Sequence, residues 1–253
     1  MRITGDFDRA ASFLGSLARV EVGNLMGLID TEGRFVVPPE YEYIFDDSGD
    51  VYVAKNGTAL TLLDADTGEI LMSRDFAPCE YVNGTVNVPG FLWVYTGCNK
   101  EYCFRTDGTL LATFEGEDSR MLVNCKPDAP RLIVTSGEWP EYDARLTDLE
   151  GSALSKSYNN LYEGLWRDGE GRYVTTVMPI VHTADGEPVG NWQHNRSGVI
   201  DQDGREILPP VYGWDLNVLA PDRYWVSTED KTGMIDGAGH WYYTISHYNA
   251  LMD

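Results

Sequence analysis

The strongest constraint on this chain's fold is an internal repeat. Residues 27–41 read GLIDTEGRFVVPPEY and residues 198–212 read GVIDQDGREILPPVY; aligned without gaps, eight of fifteen positions are identical. A third copy, GMIDGAGHWYYTISH at 233–247, keeps Gly233, Ile235, Asp236 and Gly239 but carries Thr244, Ile245 and His247 in place of the prolines and the tyrosine. Weaker copies at 62–71, 103–114 and 145–155 share one grammar: an apolar run, an Asp or Thr-Asp, a Gly two or three residues later, then a second apolar run. Each reads as a tight turn between antiparallel strands. Glycine supplies the positive φ, and the Asp side chain accepts local backbone N–H groups. The expected turn residues are Asp30, Gly33, Asp201, Gly204, Asp236 and Gly239, with Gly68, Gly108 and Gly151 in the weaker copies.

A β-rich run precedes each turn: ARVEV (18–22), VYVAK (51–55), FLWVY (91–95), RLIVT (131–135), RYVTTV (172–177) and RYWVS (223–227). From the second onward the starts lie 40, 40, 41 and 51 residues apart, a period that belongs to β arrays. VYVAK, TALTLLD, EILMSRD and YVNGTVNV make four short strands per unit, which is the size of a propeller blade. The chain therefore reads as one all-β repeat domain over 1–253, a β-propeller of about six blades, with an open β-repeat array as the alternative. Only ASFLGSLA (11–18) and SKSYNNLYEGLW (155–166) leave room for a helical turn or two. The Pro-Pro-x-Tyr segments suit an outer strand, where a missing N–H costs the ladder nothing.

These residues resemble the WG-repeat family of bacterial β-rich proteins: a strand, Gly-apolar-Ile-Asp, two residues, Gly, apolar residues, then Pro-Pro-x-Tyr. The likeness covers 13–45, 196–215 and, less completely, 231–247. Where the family often has Trp before its Gly, this chain has Met26, Ser197 and Thr232. The resemblance implies a bacterial source and a non-catalytic interaction role, and it carries no catalytic residues to transfer.

Charge narrows the partner classes. Against 40 Asp plus Glu stand 19 Lys plus Arg, a formal net charge of -21 that repels nucleic-acid phosphates and anionic lipid surfaces. No stretch approaches the roughly 20 apolar residues of a membrane span. The opening MRITGDFDRAASFLG lacks the apolar run of a signal peptide, so the expected location is cytoplasmic, or secreted or cell-surface if a leader has been trimmed. Cys98 and Cys103 flank four residues of a hairpin, where a cross-strand disulfide is conceivable, while Cys79 and Cys125 stand alone; buried thiols are the expected state.

Chemistry-bearing motifs are sparse. Asp30, Asp201 and Asp236 read as turn acceptors rather than a ring of carboxylates, and DADTGE (64–69) lacks the terminal Glu of a calcium loop. The fifth unit is stretched: Arg172 and Gly198 are 26 residues apart, against 10 between Arg223 and Gly233. The extra segment, 182–197, holds the candidate ligand-binding residues His182, Asp185, Trp192, Gln193 and His194, since loops that depart from a repeat carry specificity. A Trp beside amide and imidazole groups suits a sugar or a peptide side chain. His182 and His194 lack a third zinc ligand. With no nucleophile elbow, P-loop, dinucleotide fingerprint or HExxH, the expected function is a non-catalytic binding or scaffolding module for a protein or peptide partner. The alternative is a carbohydrate-binding or glycoside-processing protein. No cofactor, metal or nucleic acid is expected, and the chain is expected to be a monomer.

Overall fold

The computed structural model describes residues 7–45, 50–167 and 170–246, so His247 of the third repeat lies outside the described residues. The chain divides into two compact units, residues 1–116 and 117–253. In the first unit, the first sheet is β1 (Arg9–Leu14), β2 (Leu17–Val22), β3 (Leu25–Ile29) and β4 (Phe35–Tyr41). The second is β5 (Tyr43–Phe45), β6 (Val51–Asn56), β7 (Ala59–Asp64) and β8 (Ile70–Asp75). The third is β9 (Val82–Val88), β10 (Phe91–Thr96), β11 (Lys100–Arg105) and β12 (Leu110–Glu115). All three are antiparallel meanders.

The second unit opens with a three-stranded sheet, β13 (Ser119–Lys126), β14 (Ala129–Ser136) and β15 (Asp143–Thr147). Residues 153–158 stand irregularly in its fourth place: Leu154 N–H donates to Leu146 O at 2.8 Å, and Tyr158 and Ala144 exchange N–H···O bonds of 3.0 and 2.8 Å. The fifth sheet follows the order β16 (Asn160–Arg167), β17 (Glu170–Val177), β20 (Arg196–Asp201) and β21 (Glu206–Tyr212). Between β17 and β20 the stretched segment forms its own two-stranded ribbon, β18 (Ile180–His182) and β19 (Pro188–Gly190). The sixth sheet is β22 (Asn217–Ala220), β23 (Arg223–Ser227), β24 (Lys231–Ile235) and β25 (Trp241–Ser246). The protein is therefore all-β and repeat-built, each sheet a blade-sized unit.

The near-continuous apolar spelling of the second strands follows from burial on both faces. In β6, Val51 and Val53 join a core with Val82, Leu92 and Val94 of the third sheet, while Tyr52 and Ala54 join one with Leu17, Leu28 and Val37 of the first. In β17, Tyr173 packs with Val123, Ile133 and Leu146 of the fourth sheet, and Val174 with Tyr224, Val226 and Ile235 of the sixth. Full burial of such a side chain contributes about 1.5–3 kcal/mol. The tyrosine repeated in these strands keeps its hydroxyl satisfied: Tyr52 donates to Leu17 O at 2.9 Å, Tyr173 to Asn124 O at 3.0 Å and Tyr224 to Pro221 O at 2.7 Å.

The turn aspartates act as backbone acceptors. Asp30 Oδ1 accepts N–H groups of Glu32 and Arg34 at 3.0 and 2.9 Å. Asp201 Oδ1 does the same for Asp203 and Arg205, and Asp236 Oδ1 for Ala238 and His240, all at 2.9 Å. Gly33, Gly204 and Gly239 have φ of 84°, 77° and 82°, and each donates its N–H to the carbonyl of the Asp three residues earlier at 3.0 Å. In DADTGE, Asp64 Oδ1 accepts from Asp66 and Thr67 within the turn, and Asp66 Oδ1 accepts from Ser16 of the β1–β2 turn, so one oxygen of each carboxylate holds backbone in place.

Several expectations are corrected. ASFLGSLA is the β1–β2 hairpin turning at Gly15, φ 57°, and the apolar end of SKSYNNLYEGLW is strand β16; cross-strand pairing outweighs the helical spacing in both. The repeat phase also shifts by one strand. Residues 82–88 pair with β10 through a Pro89-Gly90 turn, Phe91 opposite Val88, so this segment opens the third sheet instead of closing the second. The cysteine pairing differs too: Cys98 is bonded to Cys79, with Cα atoms 5.3 Å apart. Gly97 N–H donates to Tyr81 O at 2.9 Å, which brings the β10–β11 turn against the segment holding Cys79. Cys103 lies inside β11 opposite Trp93, and Cys103 and Cys125 are buried thiols outside any disulfide. Burial pushes the Cys125 thiol up from its ordinary pKa.

Candidate functional site

The fifth sheet supplies the floor of a pocket in the second unit. Asn160 of β16 stands opposite Thr176 of β17, which stands opposite Ser197 of β20. Directly paired residues project to the same side of a sheet, so these three polar side chains form a row across it. One pleat further along, Tyr162, Val174 and Val199 form the next row on the same face. Val174 and Val199 are buried against the sixth sheet. The polar row thus begins where that apolar core stops.

Three connections wall this floor. The turn after β14 is closed by Glu141 N–H donating to Glu138 O at 2.7 Å; it carries Trp139 and Tyr142, whose rings lie 6.1 Å apart at 58°. The β21–β22 connection carries Trp214, 76% exposed. Its neighbours are tied to β23: Gly213 N–H donates to Ser227 O at 2.8 Å, and Asp215 accepts the Ser227 hydroxyl. The third wall is the base of the stretched segment. Met178 N–H donates to the Asn159 side-chain oxygen at 2.8 Å, and Asn195 closes the segment just before β20.

The pocket is half open to solvent, with a volume of about 510 Å³. Its described lining is aromatic (Trp139, Tyr142, Tyr162, Trp214), carboxamide (Asn159, Asn160, Asn195), hydroxyl (Thr176, Ser197) and thioether (Met178). Burial pushes the Tyr162 phenol up, so it presents a neutral hydroxyl. In a chain of net charge -21, this described lining is uncharged. Asn195 is 5% exposed, and its side-chain oxygen is buried without a hydrogen-bond partner. Such an atom costs free energy unless something else satisfies it. The arrangement can stack a ligand face on aromatic rings and hydrogen-bond its edges.

The stretched segment carries the candidates expected from sequence, but on other surfaces. His182 pairs with Pro188 at the ribbon end, and Asp185 sits in the turn closed by Gly186 N–H donating to Thr183 O at 3.0 Å; both are exposed. Gln193 and His194 are exposed in a single 3-10 turn, Trp192–His194, and border a separate depression of about 480 Å³ with Arg196 and Glu229. His194 Nδ1 lies 3.0 Å from the Asn191 side-chain oxygen. The Trp192 side chain lies outside the described residues. Among the described residues no group of three or more His, Cys, Asp and Glu is arranged to hold a metal ion.

Sequence reading passed over Trp139, Tyr142 and Trp214. Their only local signal was two aromatics around a proline in GEWPEY and a Trp just past Pro-Pro-x-Tyr-Gly.

The family described as WG containing repeat matches residues 26–57 and 198–214. These two stretches resemble WG-containing repeats. The first matched stretch runs from β3 through β6, and the second from β20 past β21 to Trp214, so it delivers that ring to the pocket. The residue ahead of Gly198 in the second repeat is Ser197, whose small side chain lines the floor. No curated protein matches the chain. Solved structures that align with it include a eukaryotic initiation factor (12% identity, 98% of this chain and 78% of that one, TM-score 0.43). Two others are BamB from Moraxella catarrhalis (11%, 91% and 70%, 0.35) and the Pan2 WD40 domain of Neurospora crassa (11%, 92% and 76%, 0.36). Among the described residues no helix is long and apolar enough to cross a membrane.

Proposed function

We propose that this WG-repeat chain is a non-catalytic binding module whose stacked sheets hold three connections around one ligand pocket. The observation that carries this reading is the uncharged, aromatic-walled cavity of about 510 Å³ on the fifth sheet. Its groups bind by stacking and hydrogen bonding. Each wall is held by a hydrogen bond, within its own turn at Glu138–Glu141, to β23 at Gly213 and to the Asn159 side chain at Met178, so a ligand meets a pre-formed site and less ordering opposes binding. A protein or peptide partner would enter through one inserted side chain rather than across a broad flat face. We further infer an oxidising compartment, secreted or cell-surface, because bonds such as Cys79–Cys98 persist outside a reducing cytosol.

The test is a thermal-shift screen of the full chain and its Trp214→Ala variant against saccharides, peptides and divalent cations. A ligand of the native state raises the melting temperature of the parent. The expected result is at least one ligand whose shift disappears in Trp214→Ala. Ligands that shift both proteins equally would place binding elsewhere and overturn the reading.

A further inference from the structure

We propose that the pocket's ligand is a neutral saccharide, held by aromatic stacking and by the Asn195 carboxamide; this rests on the binding reading above. Three observations converge on that class. First, Trp139, Tyr142 and Trp214 are 46%, 39% and 76% exposed, a large aromatic area to leave facing solvent around one cavity. A pyranose covers such rings with its C–H faces while turning its hydroxyls outward, matching an apolar surface edged by polar groups. Second, the floor opposite those rings is a row of neutral donors and acceptors, Asn160, Thr176 and Ser197, in register across three strands. Carboxamides and hydroxyls each donate and accept, as sugar hydroxyls do, and a charged ligand would find no countercharge in the described lining.

Third, Asn195 is 5% exposed and has a buried side-chain oxygen with no partner. Asn195 lines the cavity, and with no hydrogen bond pinning that oxygen the carboxamide can turn about its terminal torsion to bring it to a ligand without breaking a bond the oxygen makes. A buried polar group left unsatisfied is a cost in the empty protein that a ligand hydroxyl would remove. That distinguishes Asn195 from Asn159, whose oxygen already accepts the Met178 N–H.

The experiment is a fluorescence titration of the full chain with neutral oligosaccharides. Uronic-acid oligosaccharides and proline- or aromatic-rich peptides serve as comparators. Trp214→Ala and Asn195→Leu are titrated in parallel, and thermal melts of the ligand-free proteins are recorded. The expected result is saturable binding of at least one neutral oligosaccharide class, weakened tenfold or more in both variants. Asn195→Leu should melt at or above the parent temperature without ligand, since it removes an unsatisfied polar group; a purely structural Asn195 would instead lower it. Binding of peptides alone, abolished by Trp214→Ala, would overturn the saccharide assignment and leave the binding module standing. A saccharide bound equally by all three proteins would overturn both. No response to any neutral oligosaccharide would overturn the saccharide assignment.

Discussion

A Cβ on Gly27 would sit 2.6 Å from the carbonyl oxygen of Val37 on the neighbouring strand, and 2.8 Å from backbone atoms of both Pro38 and Pro39. The cause is a bulge: Met26 pairs with Tyr41 but Leu28 with Val37, so the Pro-Pro pair is extra chain pressed onto the glycine. Gly198 meets Leu208 O at 2.6 Å in the same way, so in these two copies the glycine and its Pro-Pro form one structural device; Gly233 is crowded by Tyr243 O in the copy that lacks the prolines.

Gly27→Ala should accordingly destabilise the protein by about 1–3 kcal/mol or more, because the atoms in the way are backbone and cannot rotate aside. Gly23→Ala is the comparison. Its φ of 61° is strained for alanine, but a Cβ there meets nothing within 4 Å, so about 1 kcal/mol is expected. Denaturant melts of both variants check the order; equal losses would show that crowding at Gly27 is relieved elsewhere.

Acid stability should follow the turn aspartates. Backbone N–H donation holds Asp30, Asp64, Asp107 and Asp236 below the ordinary carboxylate value of 3.8. A carboxylate depressed in the folded state contributes stability that is present above its unfolded pKa and lost as pH falls through the folded one. Below about pH 4 the parent should lose stability steadily, and the Asp30→Asn, Asp236→Asn double variant should lose less over that window. Urea midpoints measured from neutral pH to about pH 2 give both slopes.

Cleaving Cys79–Cys98 releases a loop with a sequence separation of 19. The chain-entropy account puts its contribution at about 3 kcal/mol. The Cys79→Ser, Cys98→Ser variant should lose about that much unfolding free energy in a urea melt. Alkylating the denatured, unreduced parent should label Cys103 and Cys125 and spare the other two; labelling of four cysteines would remove the bond.

Gly190 is where the inserted ribbon meets the pocket wall. A Cβ there would lie 2.5 Å from Met178 Sδ and 2.8 Å from Trp139 Cη2. Gly190→Ala should push Trp139 or Met178 into the cavity, weakening pocket ligands several-fold, with a smaller stability loss than Gly27→Ala because the atoms in the way are side-chain ends that can move aside. Binding that survives while stability falls would separate the ribbon from the site.

The architecture was legible in the sequence because its determinants are local. An Asp three residues ahead of a positive-φ glycine makes its turn with neighbours in the chain, and a run such as VYVA reports burial on both faces wherever the sheet ends up. Strand phase was not, because β9 fits either of two adjacent sheets until the Pro89-Gly90 hairpin pairs it with β10. The Cys79–Cys98 bond likewise depends on a turn meeting a distant segment. The pocket was least legible of all. Asn160, Thr176 and Ser197 become a row only through interstrand register, and Trp139 and Trp214 come together only when separate connections fold over the same sheet. The sequence by itself determined a repeat of β meanders with Asp-Gly turns and a stretched fifth unit. Only tertiary structure decided which side chains share a cavity, because register and long-range packing, rather than residue spacing, bring those groups face to face.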